Sequence, residues 1–147
     1  MNFIGDYHTH TKKSDGRQSL RDVVEAARVR GLREVAITDH GPLVLGIGVK
    51  RAQTYLETKK EIAAINRELE DQGVDLKVLL GAEANIRDLE GNLDIPGDIV
   101  GELDFLIAGL HPYTLPTSVR SGYELTVQNS LRHLGKKQRA QAMDNNT

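Results

Sequence analysis

His8 and His10 stand one residue apart in "GDYHTHTKKSDG", with Asp6 before them and Asp15 after. Imidazole nitrogens and carboxylate oxygens are the donors that hold borderline divalent ions. On an extended strand Asp6, His8 and His10 share one face while Tyr7 and Thr9 point to the other, so two rings can converge on one ion. Further candidates follow: Asp39 and His40 in "ITDH", Glu83 in "LLGAEANI" and His111 in "GLHP". A His-x-His pair alone is often a surface accident. It gains weight because four of the five histidines fall where strands are expected to end. His133, in "LRHLGKKQ", is the exception, and its polar helical setting reads as a solvated surface position.

The acidic residues have structural readings as well. Glu83 could cap a backbone amide or pair with Arg87, but at the mouth of the apolar run "VLLG" a charge is costly to desolvate unless a cation or donors compensate it. Asp15 before Gly16 fits a turn. Asp39 points away from its neighbour His40 on a strand, which suits support of a ligand or helix capping, and Asp6 is read in the same way.

The elements that must position these residues alternate along the chain. Phe3 to Tyr7 can open a strand. "SLRDVVEAARVRG" starts a helix at Ser19, with Asp22 as the partner in a capping box and Gly31 as its stop. Leu20, Val23, Val24 and Ala27 form its apolar stripe. "EVAIT" is a short buried strand. Thr54 to Gln72 is a second helix, carrying Tyr55, Ile62, Ile65 and Leu69 on one side and closing at Gly73. "LKVLLGAE" and "DFLIAGL" are the third and fourth strands, separated by "EGN" and "IPG" turn signals. Such alternation specifies a parallel sheet, doubly wound or barrel-like, and both architectures build their sites at the C-terminal strand ends.

Composition narrows the classes. The 147 residues suit one domain. A formal charge of −2 gives no bulk attraction to nucleic acid or membrane. The absence of cysteine excludes disulfides and thiolate ligands. No signal peptide or membrane span is legible, so a cytoplasmic location is expected.

The ordered motifs "HTH" with "SDG", "ITDH", "GAEANI" and "GLHP" resemble those of PHP domains, a family named for polymerase and histidinol phosphatase, over nearly the whole chain. "DYHTHT", "AITDHGP" and "LLGAEANI" are more similar to the stand-alone phosphoesterase branch than to a polymerase-embedded domain. The resemblance implies a distorted (β/α)7 barrel with up to three divalent ions, zinc, manganese or iron, at its rim. It implies that His8 and His10 hold the first ion with Glu83, which bridges to the second. His111 would complete much of the second site, and Asp15 and His40 would help hold the third. The catalytic set would be His8, His10, His40, Glu83 and His111, with hydroxide held between ions attacking the phosphorus of a phosphate ester.

The family pattern continues with a later histidine and a closing Asp-x-His pair, whereas this sequence stops at "AMDNNT". Residues 1–147 are therefore expected to be a partial PHP domain, an α/β chain forming the N-terminal part of an incomplete barrel. Its open edge should self-associate. The expected function is metal-dependent hydrolysis of a small phosphomonoester. A catalytically inactive fragment with partial metal sites is the alternative. A nucleic-acid phosphodiesterase or exonuclease ranks behind both, because no basic, aromatic-rich groove is legible. Amidohydrolases also begin with His-x-His on a first barrel strand, but "ITDH" and "GAEANI" fit them poorly. The expected partner is thus a small phosphorylated substrate, with no membrane and no nucleic acid.

Overall fold

The computed structural model describes residues 4–127. Within them, β1 (Gly5–Thr9), α1 (Leu20–Val29), β2 (Glu34–Ile37), α2 (Thr54–Asp71), β3 (Lys77–Asn85), α3 (Gly97–Val100), β4 (Phe105–Gly109) and α4 (Val119–Gly122) follow in that order. A π turn, Tyr123–Val127, ends the described chain. The strands pair in parallel in the order β1-β2-β3-β4, and the sheet curls as part of a barrel.

Local signals account for most of this. The Ser19 side chain accepts from the Asp22 N–H while the Asp22 carboxylate accepts from the Ser19 N–H, so two donors at the α1 start are satisfied reciprocally. The stripe Leu20, Val23, Val24 and Ala27 is buried. It packs with Val35 and Ile37 of β2, Val78 and Leu80 of β3, and Ile62, Ile65 and Leu69 of α2. Each large side chain so buried contributes about 1.5–3 kcal/mol. A second cluster, Val49, Tyr55, Ala82, Ala84, Ile95 and Ile99, supports the C-terminal half of β3. Positions 78, 80, 82 and 84 of β3 are thus taken up by packing, and strand alternation leaves Gly81, Glu83 and Asn85 on the other face.

Three expectations change. The first strand runs from Gly5 to Thr9 instead of Phe3 to Tyr7, because Arg33 and Glu34 both donate to the Ile4 carbonyl and fix the start of pairing there. Phe3 lies outside the described residues. Asp6 pairs with Val35 and Thr9 with Ile37, three steps on β1 against two on β2. This bulge breaks the strict alternation on which Asp6, His8 and His10 were placed on one face. The "IPG" signal leads directly into a short helix, α3, entered through Pro96. Of the polar helix expected over Tyr123 to Thr147, the first five residues form the π turn; the remainder, His133 included, lies outside the described residues. Among the described residues no helix is long and apolar enough to cross a membrane.

Candidate metal centre

The two central strands set the middle of the site. Beyond Ile37 the chain stays extended and buried through Thr38 and Asp39 to His40. The Glu83 N–H donates to the Asp39 carbonyl at 3.2 Å, and the Gly41 N–H donates to the Glu83 carbonyl at 2.9 Å. His40 is therefore held beside Glu83 by main-chain bonds on either side of it. His8 and His10 arrive from the bulged end of β1. His111 follows Gly109, the residue of β4 that pairs with Asn85.

Asp15 is brought in by a loop that Asp39 holds. The buried Asp39 carboxylate accepts from the Thr11 N–H at 2.6 Å, the Thr11 hydroxyl at 2.7 Å and the Ser14 hydroxyl at 2.6 Å. The turn then closes with the Gly16 N–H on the Thr11 carbonyl, and a Cβ at residue 16 would lie 2.2 Å from the His10 carbonyl oxygen. Only glycine fits that approach. Asp15 is thereby folded back onto His10.

One carboxylate organises the cluster. Glu83 Oε2 lies 2.9 Å from His8 Nε2, 3.0 Å from His10 Nε2 and 3.3 Å from His40 Nδ1. Its other oxygen, Oε1, is 2.9 Å from His111 Nε2. Asp15 Oδ1 is 2.7 Å from His10 Nδ1, and Asp15 Oδ2 is 3.8 Å from His40 Nε2. The rings of His10 and His40, and of His40 and His111, meet edge to face with centroids 4.4 and 4.9 Å apart. Three sets of possible ligand atoms result: His8, His10 and Glu83; His10, Asp15 and His40; and His40, Glu83 and His111. All six residues singled out in the sequence come together, with His10, His40 and Glu83 each shared by two sets. Asp6 joins none of these sets; its carboxylate accepts from the His8 N–H at 3.2 Å. Glu83 does not pair with Arg87, whose guanidinium donates to the Leu115 and Pro116 carbonyls.

The electrostatics suit cation binding. Burial alone would raise the Glu83 carboxyl, but the His8 hydrogen bond and the charges of His40, His111 and His8 outweigh it, and the net shift is downward. Asp15 behaves likewise, with burial opposed by His10 and His40. His40 is pushed down, first by burial, with Glu83 and Asp15 opposing and His10 and His111 reinforcing. The histidine charge that lowers Glu83 is present only where the rings are protonated, so near neutral pH the cluster holds an ionised carboxylate facing a neutral His40.

That state leaves nitrogen atoms without use. His10 Nε2, His40 Nδ1 and His111 Nδ1 are buried and make no hydrogen bond. The first two lie close to Glu83 Oε2 yet are not aligned as donors to it. Ligand atoms each about 2.0–2.2 Å from an ion lie about 3 Å from one another, which matches the spacing around Glu83. The donor set is nitrogen and oxygen only, and each set offers three protein ligands with room for others, so the residues fit divalent ions.

Sequence reasoning did not assign three contributors. Thr11 and Ser14 hold the loop by their bonds to Asp39, and their local signal is their place between the His-x-His pair and Asp15, with Ser14 inside "SDG". Asp94, buried beneath the ends of β2 and β3, lies in the irregular stretch and carries no motif.

Comparison with known proteins adds the family. The family model described as "PHP domain" matches residues 6–142. A "Probable phosphatase" of Shewanella frigidimarina is 32% identical over 133 residues, covering 89% of this chain and 49% of that protein. A "Probable phosphatase" of Acetivibrio thermocellus is 31% identical, covering 90% of this chain and 52% of that protein. The "DNA polymerase/3'-5' exonuclease PolX" of Bacillus subtilis is 36% identical over 107 residues, 73% of this chain and 18% of that protein. The chain thus spans about half the length of the phosphatases and about a fifth of the polymerase.

Proposed function

This chain belongs to the PHP domain family, and on that premise we propose that it carries the N-terminal, ligand-rich part of a metal-dependent phosphoesterase that hydrolyses a small phosphomonoester. The observation that carries the reading is the Glu83 carboxylate faced by four histidine nitrogens at 2.9–3.3 Å, two of them buried and unaligned as donors.

His8 and His10 would hold one ion with Glu83, Glu83 and His111 a second, and Asp15 and His40 would help hold a third, with zinc, manganese and iron all compatible with the nitrogen and oxygen donors. Bound divalent ions supply positive charge that lowers the pKa of water beside them and offsets negative charge on a phosphoryl group. The chain's own residues do the rest. Asp15 accepts a hydrogen bond from His10 Nδ1–H, which fixes the tautomer and leaves the Nε2 lone pair free on the side of Glu83. Glu83 offers its two oxygens to two sides, so both sets turn on one rigid strand position. His8 stands at the open margin, where it and His10 line a cavity of about 370 Å³ with Gln18 and Arg30, a space through which a phosphate ester can approach.

Residues 1–147 act as a partial PHP domain, and the open edges of β1 and β4 are where copies of the chain associate. A second reading, cleavage of nucleic acid from a 3' end, is favoured by one observation, the relative named "DNA polymerase/3'-5' exonuclease PolX". The stand-alone phosphatase reading ranks first because the match to the phosphatases extends over 89–90% of the chain against 73% for the polymerase.

The test is elemental analysis of the purified chain together with hydrolysis of p-nitrophenyl phosphate and of an end-labelled DNA strand, with manganese or zinc added. Bound metal with phosphomonoester turnover well below that of a version extended through the later family motifs is the expected result. Metal-free protein after purification and after dialysis against manganese or zinc would end the metal reading, and cleavage of DNA alone would move the second reading to first place.

A further inference from the structure

We propose that Asp94 is a positioning residue of the metal centre: one buried carboxylate that ties the chain leaving His40 to the chain leaving Glu83. The inference rests on the metal reading above and adds a residue to it.

Asp94 lies on the return from β3 to α3, where an antiparallel bridge between Ile86 and Leu93 turns the chain back under the ends of the strands. It is 5% exposed. Its Oδ1 accepts from the Asn85 N–H at 2.8 Å; its Oδ2 accepts from the Leu43 N–H at 3.0 Å and from Asn85 Nδ2 at 2.5 Å. Asn85 is two residues beyond Glu83 on the same strand face, and Leu43 is three residues beyond His40. Asp94 belongs to none of the three ligand sets. It therefore acts on the centre through the backbone.

Gly41 supplies an independent sign of the same clamp. A Cβ at residue 41 would stand 2.2 Å from Asp94 Oδ1 and 2.3 Å from Oδ2. The residue directly after His40 must lack a side chain for the carboxylate to reach both partners. Gly41 also donates to the Glu83 carbonyl, so the carboxylate, the His40 chain and the Glu83 chain meet within one small region.

The chemistry of the clamp makes it breakable with little change in volume. Both carboxylate oxygens accept: Oδ1 from the Asn85 N–H, Oδ2 from the Leu43 N–H and Asn85 Nδ2. An amide has a single accepting oxygen, so Asp94→Asn must present its NH2 to a donor, either the Asn85 N–H or the Leu43 N–H with Asn85 Nδ2. A buried main-chain N–H then faces an NH2 in place of its acceptor, and the chain beside it must shift. Ligands displaced in this way bind more weakly, and loss of a partner outside the ligand shell typically costs about 10–100-fold in metal affinity.

The experiment is a Co²⁺ titration of the whole chain, read by the visible d–d band, for the parent, Asp94→Asn, Gly41→Ala and Asn66→Ala. Asn66 is the control: it makes two comparable bonds to β3, accepting from the Val78 N–H at 2.8 Å and donating to the Val78 carbonyl at 2.9 Å, but at the opposite end of the strand. Asp94→Asn and Gly41→Ala should weaken Co²⁺ binding about 10–100-fold and change the band shape. Asn66→Ala should lower thermal stability and leave the band as in the parent. If Asp94→Asn does not fold, Gly41→Ala decides alone. A folded variant at either position with parental affinity and band overturns the clamp. A parent that takes up no cobalt overturns the metal reading itself, and the clamp with it.

Discussion

The middle of the ligand cluster and its margin are built differently. His40 and Glu83 come from β2 and β3, strands paired on both sides, and their side chains are 7% and 9% exposed. His8 comes from β1, which among the described residues pairs on one side only, and its side chain is 54% exposed. The central pair is locked by the main-chain bonds of residues 39–41 with Glu83. The marginal ligands depend on a bulge, a six-residue loop held by Asp39, and the two residues after β4. Burial on both sides fixes a side chain to within what close packing allows. A one-sided strand does not. The centre of the cluster is therefore preorganised by the fold, and the margin adjusts to what is bound.

The largest effect follows from removing the centre. Glu83 belongs to two of the three ligand sets and touches four histidines, so Glu83→Ala should reduce metal content to near zero. His8→Ala with His10→Ala takes ligands from two sets and leaves only His40, Glu83 and His111 complete, so that variant should keep part of its metal. Elemental analysis after dialysis separates the two. Equal metal in the parent and in either variant would remove the distinction between centre and margin. Glu83→Ala need not unfold the protein, since taking away a buried charge also removes its desolvation cost.

Next comes the loop that carries the margin. Asp39→Ala deletes the acceptor of three hydrogen bonds and leaves the buried Thr11 N–H and O–H donors without an acceptor. Orphaned donors of this kind cost about 1–3 kcal/mol each, so the chain should lose on the order of 3 kcal/mol or more by urea denaturation. The set containing Asp15 should weaken with it, while the set of His40, Glu83 and His111 should bind as before. An unchanged denaturation midpoint would mean that the loop is held by something other than Asp39.

What the sequence revealed follows the same division. The apolar stripe of α1, the runs of β2 and β3, and the gathering of His40, Glu83 and His111 toward the C-terminal strand ends were legible, because each depends on local periodicity and on one rule of parallel sheets, although β3 runs to Asn85, two residues past the end expected at Glu83. The bulge of β1 was not, because it arises from pairing with β2, which no local pattern in residues 5–9 records. The supporting role read for Asp39 was legible in kind, but its partners, and the role of Asp94, were hidden for a related reason. Their partners, Thr11, Ser14, Leu43 and Asn85, are brought to them by the fold, and no spacing in the chain records a hydrogen bond between residues 28 or 51 positions apart.

A smaller effect is expected from the edges. Among the described residues β1 and β4 each have an unpaired side, and Tyr7 on β1 remains 41% exposed even with its hydroxyl on Glu34 and its ring against Phe105. Unpaired strand edges recruit other chains. Light scattering should show concentration-dependent association, reduced by a lysine at Tyr7. A monodisperse monomer at high concentration would mean that the margin is as closed as the centre.

The smallest effect separates centre from margin by pH. Burial holds His40 below the ordinary imidazole value of about 6.5, so between that value and its own lower one the unfolded chain binds a proton that the folded chain does not. Stability then rises with pH across that window and is lost as pH falls through it. Glu83 and Asp15, both lowered, add stability that is present above the ordinary carboxylate range and lost only at more acid pH. The metal-free chain in chelator should therefore melt at progressively lower temperature as pH falls from 7.5 toward 5.5, with the first part of the decline due to His40. His40→Leu keeps a buried apolar side chain of similar size and has nothing to titrate, so its melting temperature should change less over the same interval. If the variant followed the parent slope, the decline would not belong to His40, and the buried centre would not be the part of this chain that acid attacks first.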